Sequence, residues 1–275
     1  MSDRFQGRTA FITGAGRGQG RSHALAFAKE GANLALIDIC KEVDGIPIPM
    51  SSKEDLDTTV RLCEEQGAKV VSGEVDVRDY DELSGFKDQA LEELGAIDIL
   101  CANAGIFGSF GRLIELTESE WQDMIDVNLT GVWKTVKAVV PSMAEKQYGR
   151  VIITGSGASL AGYPHVGHYV AAKHGVLGIT RVLALEHAAD GITANCICPA
   201  NVNTPMVDNP ITFGMHNPDN PTFEGAKDSM TGFHAIPVPW VEPEEISAMV
   251  VFLALESNAH ITGTEMKVDA GFMVK

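Results

Sequence analysis

The sequence is poor in positive charge. Its 275 residues include 21 lysines and arginines against 37 aspartates and glutamates, which gives a formal net charge of -16 at pH 7. A surface with this excess of negative charge repels nucleic-acid phosphates and anionic lipid headgroups. We therefore expect neither nucleic acid nor a membrane surface among the partners of this protein.

Long apolar runs and paired cysteines are also missing. No apolar stretch approaches the roughly 20 residues that a transmembrane helix needs, and the first residues lack a signal-peptide core. The five cysteines include no Cys-x-x-Cys pair, so we interpret them as reduced apolar side chains in a reducing compartment. We expect Cys196 and Cys198 to point to opposite faces of a strand, which argues against a shared metal ion. These absences predict a cytoplasmic protein without a metal site.

The sequence does contain enough apolar residues, 45% of the chain, for one large domain with a substantial core. Patterns typical of helices alternate with short apolar runs typical of buried strands. These runs lie at residues 9–13, 33–37, 69–75, 97–102, 151–154 and 192–197. The alternation predicts an α/β fold, in which residues 1–275 form a single Rossmann-type domain with a doubly wound parallel sheet flanked by helices.

A glycine-rich turn follows the first predicted strand and precedes a helical pattern. Its glycines, Gly14, Gly16, Gly18 and Gly20, fit Thr-Gly-x-x-x-Gly-x-Gly better than Gly-x-Gly-x-x-Gly. Glycines allow the backbone to approach a diphosphate, and the start of a helix supplies oriented N–H groups. Such a turn alone is equally compatible with an ordinary tight turn, so the prediction of a nucleotide site depends on the strands that follow.

Polar side chains stand at the ends of the later predicted strands. Asp38 ends the second strand, where an acid accepts hydrogen bonds from the adenosine ribose and repels a 2′-phosphate, which favours NAD over NADP. Arg17 is a counter-signal, because a basic side chain in the glycine turn could face that phosphate. Asp76, Asn103 and Ser156 follow three further strands. Ligands of such sheets bind beyond the carboxyl ends of the strands, so these segments predict one shared site.

A serine, a tyrosine and a lysine lie around the fifth predicted strand. Ser156 ends the strand, and a helix would place Tyr169 and Lys173 on one face. Tyrosine has a pKa of about 10, and a neighbouring ammonium lowers it. Tyr-x-x-x-Lys alone is common on amphipathic helices. With Ser156 holding a substrate oxygen against the phenol, however, the set is suited to moving a proton on or off an alcohol or carbonyl.

Two segments interrupt the alternation. Residues 40–54 exceed a usual strand-to-helix connection, and Pro47 and Pro49 keep them extended. They form either a tolerated surface insertion or a flap over the adenosine end of a dinucleotide. Residues from about 203 to 241 are rich in proline and apolar side chains, which predicts a lid for a hydrophobic alcohol. The same side chains could instead only pack the lid down. They are Met206, Phe213, Met215, Phe223, Met230, Phe233 and Trp240.

Asn128 and several histidines leave alternatives open. Asn128 lies in an apolar helical pattern that begins near Thr117. It is either a buried, hydrogen-bonded asparagine that kinks the helix or a group that holds a water beside the lysine. We interpret His165, His168 and His174 as surface or pocket-rim residues, with His168 a candidate substrate contact. None of these histidines has the spacing of a metal ligand.

Taken together, these motifs resemble the classical short-chain dehydrogenases/reductases over nearly the full length. The resemblance implies a catalytic set of Asn128, Ser156, Tyr169 and Lys173, with Ser156 preferred to Ser159 by the family's usual spacing. One departure is Pro199-Ala200, where the family often has Pro-Gly. The implied NAD contacts are Gly14, Arg17, Gly18, Gln19, Gly20, Asp38, Ile39, Asp76, Val77, Asn103, Ala104, Gly105, Tyr169, Lys173, Pro199, Val202, Thr204 and Met206.

Within this family the sequence is most similar to the carveol dehydrogenase group, whose members include enzymes linked to the redox cofactor mycofactocin. Residues 18–24, 40–54 and 198–206 carry this finer match. It implies interconversion of a hydrophobic secondary alcohol, such as a carveol-like terpenoid, and its ketone. It also implies NAD bound without exchange, an external redox acceptor and a homotetramer. The alternatives are an NADP-dependent ketone reductase and an NAD-sensing binding protein without turnover.

Overall fold

Seven parallel strands form the centre of the computed structural model, which describes residues 3–275. Their order in the sheet is β3-β2-β1-β4-β5-β6-β7, so the direction of winding reverses between β1 and β4. This confirms the predicted doubly wound sheet, and such a reversal point is where ligands bind. The strands are β1 (Thr9–Thr13), β2 (Asn33–Asp38), β3 (Val70–Glu74), β4 (Ile99–Ala102), β5 (Gly149–Thr154), β6 (Ile192–Pro199) and β7 (Glu265–Val268).

Helices connect the strands, and two of them, α2 and α4, begin with a capping box. Ser52 and Asp55 form a reciprocal capping box that begins α2, and Thr117 and Glu120 form another that begins α4. Each box satisfies backbone N–H groups that have no partner inside the helix. The helices are α1 (Gly18–Lys29), α2 (Lys53–Glu64), α3 (Tyr80–Leu94), α4 (Glu118–Ile125), α5 (Val132–Lys146), α6 (Gly167–Glu186), α7 (Pro210–His216), α8 (Phe223–Phe233) and α9 (Pro243–Ala254).

The five inner strands, β2, β1, β4, β5 and β6, are buried on both faces of the sheet. Phe11 belongs to an apolar cluster with residues of α3, α5 and α6, whereas its neighbour Ile12 belongs to a second cluster with residues of α1 and α9. Burial on both faces explains why the strands read as continuous apolar runs rather than as alternating patterns. None of the helices within residues 3–275 is long and apolar enough to cross a membrane.

The predicted long helix around Asn128 is interrupted. A π-helical turn, Asp126–Gly131, joins α4 to α5, and Asn128 is completely buried inside it. Single π turns of this kind often occur at functional sites because they redirect one side chain out of the regular ladder. The disturbed helix agrees with the interpretation of Asn128 as a buried asparagine that alters the helix.

The lid holds its own small core between α7 and α8. Phe213 and Met230 are buried there, and Phe223 stacks on Trp240 with ring centroids 4.6 Å apart. These four side chains pack the lid down, as one of the two interpretations held. The remaining three apolar side chains of the set, Met206, Met215 and Phe233, line the cavity described next.

Candidate active site

A cavity of about 780 Å³ lies at the carboxyl ends of the strands. Its walls come from the segments that follow β1 to β6, from residues 40–54 and from the lid. All of the predicted catalytic and cofactor residues line this cavity except Gly20. The residues brought together are Gly14, Arg17, Gly18, Gln19, Asp38, Ile39, Asp76, Val77, Asn103, Ala104, Gly105, Asn128, Ser156, Tyr169, Lys173, Pro199, Val202, Thr204 and Met206.

The glycine turn brings the backbone to the cavity wall. Gly14 and Gly18 have φ angles of 67° and 53°, in the left-handed region that glycine adopts without strain. Gly20, a predicted cofactor contact, packs against the turn and is not part of the cavity wall. A Cβ atom added there would stand 2.0 Å from the Gly14 carbonyl oxygen. Gly20 therefore permits the close approach of α1 to the turn, and the prediction that it contacts the cofactor stays a prediction.

Asp38 connects the glycine turn to the 40–54 segment. The Gly16 N–H donates to Asp38 Oδ2 at 2.8 Å, and the Ser51 hydroxyl donates a hydrogen bond to Asp38 Oδ1. The Asp38 side chain is almost fully buried and forms part of the cavity wall. Its negative charge is thus held in place at the position where the family resemblance puts the adenosine ribose.

Several features of this end of the cavity fit a dinucleotide. Gln19 Oε1 is buried without a hydrogen-bond partner and belongs to a residue of the cavity wall, at the start of α1. The Arg17 guanidinium, whose pKa burial lowers, donates to the Pro49 carbonyl. Burial acts to raise the pKa of Asp76, but hydrogen bonds from Arg78 outweigh it and lower that pKa. The backbone N–H groups at the start of α1, which no side chain caps, suit a diphosphate. The unpaired amide oxygen and the carboxylates suit the hydroxyls of two riboses.

The four predicted catalytic side chains converge at the other strand ends. Lys173 Nζ donates to the Thr154 carbonyl at 2.9 Å and lies 5.6 Å from the centroid of the Tyr169 ring. The Ser156 hydroxyl lies close enough to Tyr169 to act on the pKa of its phenol, which it lowers. A Cβ atom added at Gly105 would lie 2.7 Å from Asn128 Oδ1 and 3.7 Å from Lys173 Nζ, so both groups face Gly105.

Asn128 is held rigidly in its π turn. Its Nδ2 donates to the carbonyls of Ile106 at 3.0 Å and Met124 at 3.2 Å, and the Ile106 N–H donates to its Oδ1 at 3.3 Å. The side chain thus joins α4 to the segment that follows β4. The two interpretations of Asn128, a buried hydrogen-bonded asparagine and a group beside the lysine, are therefore compatible. The same side chain is hydrogen-bonded in the core and faces Gly105, as Lys173 Nζ does.

The pKa values of the tyrosine and the lysine follow from burial. Burial lowers the pKa of Lys173 to about 8, and it raises the pKa of Tyr169 to about 12 against the opposing effect of the Ser156 hydrogen bond. We predicted that Lys173 would lower the pKa of Tyr169, and for the protein chain by itself this is wrong. Desolvation dominates here because burial disfavours the charged phenolate form of Tyr169.

The lysine makes a testable contribution to stability. With its folded pKa lowered to about 8 from 10.5, the unfolded chain binds more protons at Lys173 between these values, so stability rises with pH in that window. Relative to Lys173→Met, the wild-type free energy of unfolding should rise by about 1.6 kcal/mol from pH 8 to 9.5. Reversible urea unfolding without nucleotide measures this difference, and a difference that does not change with pH would contradict the assignment.

The prediction that Cys196 and Cys198 point to opposite faces of a strand is wrong. Cys196 and Cys198 have sulfur atoms 3.9 Å apart on the same face of β6, because side chains two residues apart in a strand share a face. Within residues 3–275 no group of three histidine, cysteine or acidic side chains is placed to hold a metal.

His168, a candidate substrate contact, is fully buried outside the cavity wall, and His174 is exposed. Only His165 of the three lines the cavity.

Several cavity residues were not predicted from the sequence. Phe107 and Phe110 form an aromatic wall, with the Phe107 ring edge-on to Tyr169 at a centroid distance of 5.0 Å. Their position shortly after Asn103-Ala104-Gly105 could have suggested this wall. Tyr163 and Phe272 also line the cavity. No local signal marks Phe272, which belongs to a distant part of the chain.

The 40–54 segment crosses the cavity and contacts its far side. Val43 and Ile48 are buried and line the cavity. The Ser109 hydroxyl donates to the Gly45 carbonyl at 3.3 Å, and a Cβ atom at Gly108 would lie 2.9 Å from Pro47 Cδ. The segment is therefore packed as a wall of the site, which an insertion confined to the surface would not be.

Comparison with known proteins shows that this chain is similar to short-chain dehydrogenases. A family model for short chain dehydrogenases matches residues 8–212. A putative short-chain type dehydrogenase/reductase of Mycolicibacterium smegmatis is 46% identical, covering 100% of both chains. (-)-trans-Carveol dehydrogenase of Rhodococcus erythropolis is 42% identical, covering 99% of both. The crystal structure of carveol dehydrogenase from Mycobacterium avium in complex with NAD matches with a TM-score of 0.98 and 42% identity, covering 100% of both chains.

Proposed function

This chain belongs to the short-chain dehydrogenase family, and from that premise we propose that it is an NAD-dependent alcohol dehydrogenase. Its substrate is a hydrophobic secondary alcohol of the carveol-like terpenoid class, which it interconverts with the corresponding ketone. The observation that carries the proposal is the convergence of Ser156, Tyr169 and Lys173 on the cavity that Asp38 also lines. The similarity to two carveol dehydrogenases supports the substrate class.

NAD, when bound, accepts the hydride of the carbinol carbon. The glycine turn and Gln19 are the groups of this chain that suit its diphosphate, and Asp38 suits its adenosine ribose. A 2′-phosphate would meet the buried Asp38 carboxylate, which Gly16 and Ser51 hold in place. This arrangement supports NAD over the NADP-dependent alternative, because like charges brought together at a binding site are strongly disfavoured.

The chain's own residues handle the proton of the alcohol. Ser156 orients the alcohol oxygen toward Tyr169. Because the Tyr169 phenol carries its own proton near neutral pH, its oxygen accepts the alcohol proton as the phenol proton leaves toward Lys173. Lys173, with a pKa lowered to about 8 by burial, exchanges protons near neutral pH. Asn128 anchors this relay, because its amide is fixed beside Lys173 by the Ile106 backbone. A binding protein that only senses NAD has no need of such a set, so turnover is the better supported function.

The walls around this chemistry are apolar. Phe107 and Phe110 stand on the Tyr169 side, and Met215 and Phe233 of the lid complete the cavity. An apolar enclosure with a few convergent polar groups is typical of sites for small hydrophobic ligands. These walls support a hydrophobic alcohol rather than a sugar or an acid.

The 40–54 segment supports a slow release of the cofactor. It is joined to the glycine turn by Arg17, to Asp38 by Ser51 and to the opposite wall by Ser109. A segment fixed at both sides of the site acts as a flap over NAD, and opening of such a flap sets the rate of exchange. We therefore propose that an external redox acceptor, of the kind linked to mycofactocin, reoxidises the NADH that stays bound to the protein.

A homotetramer is part of the same proposal. Trp121 of α4, Trp133 of α5 and Leu185 of α6 are exposed large apolar side chains, with Leu185 82% exposed. Contact with further copies of the chain would remove them from water. Light scattering of the purified protein measures the mass of the assembly directly.

A panel of secondary alcohols tests the function. The protein is assayed with NAD and with NADP, each with and without an artificial electron acceptor. The proposal expects oxidation of hydrophobic cyclic alcohols with NAD, and a stimulation by the acceptor. Ketone reduction with NADPH as the faster reaction would favour the reductase alternative. NAD binding without turnover of any alcohol would favour the sensing protein.

Asp38 should decide the choice of nucleotide. Replacing Asp38 with Ala removes the charge that opposes a 2′-phosphate, so the preference for NAD over NADP should narrow by at least about tenfold, or 1.4 kcal/mol. Calorimetric dissociation constants for both nucleotides measure it. Asp44→Ala, which removes the same charge from an exposed position of the same segment, should leave the preference unchanged. Tighter binding of NADP than NAD by the wild-type protein would refute this reading of Asp38.

A further inference from the structure

Residues 269–275 form a compact turn whose backbone fixes the position of one aromatic ring. The Asp269 carboxylate accepts hydrogen bonds from the N–H groups of Gly271 at 2.9 Å and Met273 at 3.0 Å. Gly271 has a φ angle of 78°, in the left-handed region, and the single helical turn Phe272–Val274 follows it. Because these bonds fix the backbone of the turn, they also fix the position from which the Phe272 side chain projects.

Phe272 projects into the cavity wall beside the catalytic serine. Its ring stacks on Tyr163 with centroids 5.7 Å apart and meets Phe233 of α8 edge-on at 5.9 Å. A Cβ atom added at Gly157 would lie 3.1 Å from Phe272 Cε1. Gly157 is the residue directly after Ser156, so the ring is packed against the backbone that carries the serine hydroxyl.

The same turn is tied to the lid. Lys275 Nζ donates to the carbonyls of Gly232 at 2.7 Å and His234 at 2.8 Å, at the end of α8. The N–H groups of Ala235 and Ile236 donate to the Ala270 carbonyl at 3.0 Å and 2.9 Å. The two Lys275 bonds satisfy carbonyls that the end of α8 leaves open. They also join the end of α8 and the 269–275 turn into one wall.

The wall made by Phe272 faces a different side of the chemistry from the wall made by Phe107. Phe107 packs on the Tyr169 ring, whereas Phe272 packs beside Ser156. A secondary alcohol has two carbon substituents on its carbinol carbon, and its oxygen must reach both Ser156 and Tyr169. The two aromatic walls therefore limit the two substituents separately.

We propose that Phe272 is a specificity-determining residue whose ring limits the size of the substituent that the alcohol carries on the Ser156 side. The inference rests on the proposed dehydrogenase function and adds to it the residue that selects among alcohols. In an apolar pocket even one methylene group changes the relative rate by roughly 10- to 200-fold. Removing a whole ring should therefore shift the preference strongly toward bulky alcohols.

The experiment compares two alcohols in four proteins. The wild type, Phe272→Ala, Phe272→Leu and Val274→Ala are assayed for kcat/KM on cyclohexanol and 2-phenylcyclohexanol, with NAD and an artificial acceptor. Val274 lies in the same turn, is 78% exposed and does not line the cavity. The ratio of the bulky to the small alcohol should rise at least tenfold in Phe272→Ala, less in Phe272→Leu, and stay unchanged in Val274→Ala.

Each outcome bears on the proposal. A ratio in Phe272→Ala within twofold of the wild type overturns it and leaves the dehydrogenase function standing. Where thermal unfolding shows that Phe272→Ala is not folded, the ratio in Phe272→Leu decides. Should the wild type turn over no alcohol, the proposed function fails, and calorimetric binding of cyclohexanone and 2-phenylcyclohexanone decides on Phe272. A binding preference that the Phe272→Ala exchange shifts at least tenfold toward the bulky ketone supports the inference, and a smaller shift overturns it.

Discussion

Replacing Tyr169 with phenylalanine is expected to lower alcohol oxidation by roughly 10²- to 10⁴-fold, the usual contribution of a general base. The variant loses only the hydroxyl that accepts the proton. Its ring can keep the edge-on contact with Phe107 at 5.0 Å, so the fold and the affinity for NAD should be preserved. Steady-state kinetics, thermal unfolding and calorimetric NAD binding measure the three properties separately.

A matched control comes from a second tyrosine. Tyr148 lies just before β5, at the end of the sheet away from the cavity, where its ring packs under the guanidinium of Arg8. Tyr148→Phe removes a phenol hydroxyl without touching the site and should keep wild-type activity. If Tyr169→Phe retained more than about a tenth of the activity, the assignment of Tyr169 as the base would be refuted.

Shortening residues 43 to 50 is expected to accelerate the exchange of NAD(H) by at least tenfold. The deletion removes Val43 and Ile48, which are buried against the cavity. Burying one such side chain contributes about 1.5–3 kcal/mol, and a loss of about 1.4 kcal/mol already corresponds to a tenfold change. The hydride-transfer residues are untouched, so turnover with free NAD should rise as release becomes faster.

The measurement has two parts and two comparison variants. The purified wild-type protein is denatured and its supernatant assayed for nicotinamide nucleotide, and exchange is followed by NADH fluorescence in each protein. Ser109→Ala breaks the bond to the Gly45 carbonyl from outside the cavity wall and should give an intermediate rate. Asp44→Ala should exchange at the wild-type rate. A wild-type protein that carries no nucleotide and turns over rapidly with added NAD would reject the flap and leave the dehydrogenase function intact.

Most of the fold could be predicted because its signals are local. The strands of a parallel sheet are buried on both faces and read as apolar runs. The capping boxes at Ser52 and Thr117 predict the start of the helices that follow them. Once the sheet is known to be parallel, its carboxyl ends must share one edge, so Asp38, Asn103 and Ser156 could be placed in one site without coordinates.

Two errors had different origins. The strand period already places Cys196 and Cys198 on the same face, so the expectation of opposite faces was a wrong reading of a local rule. The error about the pKa of Tyr169 has its origin in tertiary packing. A spacing of four residues indicates that a lysine is near, but the desolvation that raises this pKa to about 12 depends on everything packed around the phenol.

By itself, then, the sequence determined the α/β architecture, the glycine turn and the residues that converge at the strand ends, because each depends on local pattern or on the geometry of a parallel sheet. Only the tertiary structure decided that Gly20 packs behind the turn, that His168 is buried away from the cavity and that Phe272 stands beside Ser156. These outcomes depend on side-chain contacts between segments far apart in the chain. Such contacts follow from the close packing of the whole domain, which no local pattern encodes.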